Sequence, residues 1–105
     1  PTSIPVIRDA LTIDIEKIME EDLKDAFTHL SPVQQQEFKL KGEQTAFEIR
    51  NLLKKTKTSA RKILALLIAW LKLLPGVNRF FLEQEAKIKT DKILGLKKNI
   101  TTNIK

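Results

Sequence analysis

The sequence predicts an all-α protein: a helical hairpin or small bundle with an acidic N-terminal helix, a long central helix and a C-terminal helix. Three observations predict it. Apolar residues recur every three or four positions through three long segments, the spacing that lines one face of a helix. Breakers are scarce, with three Gly and four Pro in 105 residues, so long internal segments are spared. The start and stop signals that do occur, Ser31-Pro32-Val33-Gln34 and Pro75-Gly76, are helix punctuation.

Residues 1–11 read as an extended arm, because the residue before a Pro, here Ile4 before Pro5, is pushed out of helical geometry. A single helical domain is expected over 12–94. Its first helix should begin near Thr12, with Asp14 and Glu16 suiting the positive end of the helix dipole. Ile15, Ile18, Met19, Leu23, Ala26, Phe27 and Leu30 then share one face, and the opposite face is acidic.

Ser31 is placed to cap the next helix, with Pro32 at its first position and Gln34 completing a capping box. The polar stretch Lys54–Ser59 offers a turn in which Thr58 or Ser59 would cap a separate helix. Periodicity argues the other way. Ile49, Leu53, Thr56, Ala60, Ile63, Leu67, Trp70 and Leu74 keep one helical phase straight through it, which favours a continuous helix over about 32–74 with a bend near 56–59. Leu74-Pro75-Gly76 ends that helix. Asn78 caps a last one over about 79–94, Val77 and Leu82 sit at the staple positions, and Glu83–Lys87 and Glu85–Lys89 are spaced as surface pairs. Gly95 to Lys105 reads as a mobile basic tail.

Composition narrows function by exclusion. The chain has no Cys, which removes disulfides, thiolate metal sites and cysteine nucleophiles. His29, the single histidine, lies four residues after Asp25, a spacing better explained by a cation at a helix C-terminus than by a metal or catalytic pair. Glu20, Glu21, Asp22 and Asp25 splay around a helix and lack the Gly-punctuated loop that calcium needs. With no catalytic constellation, cofactor loop, metal set or small-molecule substrate signature, the expectation is a non-enzymatic interaction or scaffold protein.

Charge is distributed unevenly. Residues 1–30 hold seven acids against three bases, while 31–105 hold six acids against sixteen bases. From Ile49 to Leu82 no Asp or Glu occurs in 34 residues that carry eight Lys or Arg. On a continuous helix Arg50, Lys54, Lys55, Lys57, Arg61 and Lys62 form a cationic surface for an anionic partner. Leu64, Ile68, Trp70 and Leu71 would extend it as an apolar interface. Ile63–Leu74 rises only about 18 Å against a hydrocarbon core of roughly 30 Å, so it is too short to span a bilayer. The expected partners are therefore an anionic membrane surface at its cytoplasmic face, another helical protein, or a second copy packed through Gly42, Ala46, Thr56 and Ala60. Non-specific nucleic-acid binding ranks lower because no aromatic residue interleaves the basic run to stack on bases. The −4/+10 division also allows the acidic first helix to cover the basic stripe as an internal clasp.

The block Trp70–Leu94, together with Leu30–Gly42, resembles segments of uncharacterised small all-helical proteins from candidate-phylum bacteria of reduced genome. That resemblance implies an all-helical cytoplasmic protein without an assigned activity, and it carries no site residues.

Overall fold

The computed structural model describes residues 9–103, with side chains through Lys97. Within them the chain is all-α: α1 (Ala10–Glu20), α2 (Lys24–Thr28), α3 (Pro32–Leu53), α4 (Ala60–Leu71) and α5 (Arg79–Asn103). Apart from Asp9–Leu11, the expected arm lies outside the described residues. Helix α1 begins earlier than expected because Asp9, not a residue near Thr12, is its cap. The Asp9 carboxylate accepts from the Thr12 N–H at 2.9 Å and from the Thr12 hydroxyl at 2.8 Å.

The first helix does not run to Leu30. It stops in a tight turn in which Glu21 has φ −57°, ψ 138° and Asp22 has φ 64°, and the Leu23 N–H bonds the Glu20 carbonyl at 3.2 Å. Those angles are a type II turn, with Asp22 in the left-handed position that short polar residues tolerate better than most. The central peptide of such a turn directs its carbonyl outward, away from the helix ladder. The Glu21 carbonyl then accepts from the Lys89 ammonium on α5, at 2.6 Å.

The long central helix is divided in two. Helix α3 ends at Leu53, residues 54–59 form a turn, and Ser59 caps α4 by accepting from the Lys62 N–H at 3.2 Å. The preserved phase had a different cause. Ile49, Leu53, Ile63, Leu67, Trp70 and Leu74 are all buried, while Thr56 and Ala60, between them, are exposed. Each helix supplies its own buried face, and doubling back lets the two faces cover one another, which a straight helix would leave to solvent. The Ser31–Gln34 capping box forms as expected.

Trp70 fixes the α3–α4 hairpin. Its ring stacks on Phe38 with centroids 4.5 Å apart, and its indole N–H donates to the Phe38 carbonyl at 3.0 Å. Gly42 makes this approach possible, since a Cβ there would lie 3.0 Å from the indole nitrogen. Gly42 and Ala46 are therefore consumed inside the chain, where α1 covers the segment expected to need a second copy.

Helix α5 returns along α4 after Gly76, whose φ of 74° suits glycine. Asn78 caps it by accepting from the Phe81 N–H at 2.7 Å. It runs through Gly95 to Asn103 instead of stopping near Leu94. Leu82, Ala86 and Ile93 are buried, while Phe80 is exposed.

One expected surface pair lies inside the protein. Lys89 is 1% exposed, and its ammonium bonds Glu85 Oε1 at 2.9 Å as well as the Glu21 carbonyl. Glu83 pairs with Arg79 and Lys87 with Asp91, so the anticipated Glu83–Lys87 pair does not form. Deleting one partner of a buried pair leaves the other charge uncompensated, whereas replacing both with apolar groups removes the desolvation cost. Lys89→Met should destabilise the fold by about 3 kcal/mol. The double variant Lys89→Met/Glu85→Leu should recover most of that loss, as measured by urea denaturation of both.

Candidate functional site

The expected cationic surface is assembled at one end of the bundle, by the turn that was expected to be helix. Lys54, Lys55 and Lys57 are exposed on the α3–α4 connection, and Arg61 and Lys62 are exposed in the first turn of α4. None of these five makes an ion pair with a described residue. Arg61 and Lys62 stand where the helix dipole is positive, a placement that opposes folding by a few tenths of a kcal/mol or more per charge. An approaching anion would meet both the side chains and the dipole.

Helix α5 braces this end. The Lys97 ammonium donates to the Lys55 carbonyl at 2.6 Å and to the Thr58 hydroxyl. Thr58 in turn donates to the Leu52 carbonyl at 3.3 Å. A connection rich in like charge is thereby held in one shape by hydrogen bonds to its backbone.

Arg50 does not belong to this surface. Its guanidinium contacts Asp9 Oδ2 at 2.9 Å through Nε and 2.8 Å through the terminal nitrogen, and it also lies over the Phe47 ring. The Arg50 hydrogen bonds, followed by those from Thr12, hold the Asp9 carboxyl far below its ordinary 3.8. Arg50 thus fastens the start of α1 to the end of α3.

The apolar half of the expected interface is divided between core and surface. Trp70 and Leu71 are 4% and 1% exposed and belong to the core, while Leu64 and Ile68 are half-buried against it. The apolar surface that adjoins the basic end is a different one. It is a shallow trough between α3 and α4 lined by Leu52, Ala65 and Leu66, with Lys62 and Glu48 at its edges. Leu52 and Ala65 fall beside the most regular stripe, where periodicity does not single them out.

The acidic segment makes its clasp elsewhere. Glu21 contacts Lys92 on α5 at 2.7 Å, and this hydrogen bond lowers the Glu21 carboxyl below its ordinary 4.5 and raises Lys92 above its ordinary 10.5. With Asp9 on Arg50 and Glu21 on Lys92, neither of these acids reaches the 54–62 cluster. The His29 Nδ1–H donates to the Asp25 backbone carbonyl at 2.6 Å, not to its carboxylate, in keeping with a helix-end role.

Among the described residues no helix is long and apolar enough to cross a membrane. Comparison with known protein families, curated proteins and solved structures finds no match.

A depressed carboxyl pKa contributes stability above its unfolded value that is lost as pH falls. Asp9→Ala should therefore cost about 1–2 kcal/mol at neutral pH, through loss of the cap and the Arg50 partner. The deficit should narrow below pH 3.8, where Asp9 in the unfolded chain already binds a proton and the native advantage shrinks. Urea denaturation of both proteins across that range checks the sign.

Proposed function

We propose that this protein is a non-enzymatic helical interaction module that attaches through its basic end to the anionic cytoplasmic surface of a membrane. The observation that carries this reading is the cluster Lys54, Lys55, Lys57, Arg61 and Lys62: five exposed cations, unpaired among the described residues, on one braced turn and helix start. Juxtaposed Lys and Arg in such numbers are attracted to anionic headgroups at about 1 kcal/mol each.

Burial of Trp70 and Leu71 changes the kind of attachment expected. Without a large apolar face to insert, binding is mainly electrostatic and so reversible by salt. The Leu52–Ala65–Leu66 trough adds a modest apolar contact beside the charges. Nucleic acid is the less favoured polyanion, because Phe47, the aromatic residue nearest the cluster in sequence, is half-buried beneath Arg50 and offers no stacking platform.

Vesicles containing phosphatidylserine should co-sediment the protein at low ionic strength, and phosphatidylcholine vesicles should not. Raising salt roughly tenfold should release it. Lys54→Glu/Lys57→Glu/Arg61→Glu should lower partitioning by roughly a hundredfold or more with an unchanged circular dichroism spectrum. Undiminished binding by the variant would contradict the proposal. So would inert vesicles beside duplex binding with a steep salt slope, which would reassign the cluster to nucleic acid.

A further inference from the structure

A second feature lies toward the other end of the bundle. Helices α1 to α4 enclose a half-open cleft of about 530 Å³, within the size range of small-molecule sites. Gly42 and Lys54 are twelve positions apart along the sequence, so the cleft and the basic turn are separated by about 18 Å of helical rise. The cleft is walled by Met19, Leu23, Phe27, Phe38 and Trp70.

The chemistry of the walls selects a ligand. The apolar floor has one side-chain donor, the Trp70 N–H, and this is already given to the Phe38 carbonyl. No buried side-chain nitrogen or oxygen among the described residues is left without a hydrogen bond. Phe27 is half-buried, whereas Met19, Leu23, Phe38 and Trp70 expose 5% or less, so Phe27 is the main apolar surface that a ligand would meet and the floor behind it has no free donor for an anion. Charge enters only from the sides, where Glu16, Glu20 and Glu43 face Lys24 and Lys39. These are not equivalent. Lys24, Lys39 and Glu20 stand in solvent, while Glu43 is half-buried and Glu16 is buried. Charges nearer the low-dielectric floor act more strongly than those surrounded by water. Glu43 has no ion-pair partner among the described residues.

We propose that this cleft binds an apolar amine, a hydrocarbon or aromatic body that lies against Phe27 at the mouth of the cleft and directs its ammonium group to Glu43. The site is separate from the basic end and does not depend on it.

Trp70, the single tryptophan in the chain, forms part of the wall and reports occupancy through its emission. The test titrates the protein with n-octylammonium, n-octanol and octanoate, matched in chain length and differing in charge. Octylammonium should give a saturable change in Trp70 emission at about tenfold lower concentration than octanoate, with octanol between them. Glu43→Gln should weaken octylammonium by about tenfold and leave octanol unchanged, because Gln keeps the size of the half-buried side chain and removes its charge. The Lys54→Glu/Lys57→Glu/Arg61→Glu protein should respond like the parent. No saturable response, equal response to ammonium and carboxylate, or an unaltered Glu43→Gln titration would each overturn the proposal.

Discussion

A buried ammonium group sets the terms for the rest of this fold. Lys89 lies among Leu82, Ala86 and Ile93 on the inner face of α5, and a charge placed there must be neutralised and hydrogen-bonded where it stands. Glu85, one turn earlier, supplies the countercharge, and the Glu21 carbonyl supplies a second acceptor. That carbonyl is presented by a turn with Asp22 in a left-handed conformation, so the interruption between α1 and α2 and the burial of Lys89 are one structural fact. Once Glu21 is held against α5, its carboxylate reaches Lys92, and Asp9 at the other end of α1 reaches Arg50.

This arrangement converts a charge division along the chain into one in space. The acidic segment is fastened to α3 and α5 by pairs outside the basic turn. Exposed pairs such as Glu21–Lys92 contribute little individually; their importance is in register, because they hold the acids away from Lys54–Lys62. The cationic end is left facing solvent, in the unfavourable half of the α4 dipole, and rigid through Lys97. Salt-dependent attachment to an anionic surface is the behaviour such an end supports.

Much of the fold was legible in particular residues. Ser31 through Gln34, Pro75-Gly76 and Asn78 act as punctuation in the structure as they do in the sequence, because capping is decided by local backbone groups. The α3–α4 turn was not legible from periodicity. Phase reports which face of each helix is buried and is silent on whether two such faces belong to one helix, and Ser59 was the better witness. Trp70 and Leu71 were misassigned for the same reason: an apolar face looks alike whether it meets lipid or α3 and α5. Lys89 gave a signal that charge obscured. It falls in phase with Leu82, Ala86 and Ile93, and that spacing marks a buried position whatever residue occupies it. The basic cluster itself was fully visible in composition, but Arg50 separated from it only when Asp9 appeared beside it.

Lys89 is sealed in the core, while Lys54, Lys55, Lys57 and Lys62 stand open at the basic end. Amine-specific footprinting of the native protein, read site by site by mass spectrometry, measures both at once. Lys54, Lys55, Lys57 and Lys62 should be modified rapidly, while Lys89 should resist modification until denaturant unfolds the chain. Modification of Lys89 at the rate of Lys54 under native conditions, or protection of the 54–62 cluster to the level of Lys89, would contradict this division between core and basic end.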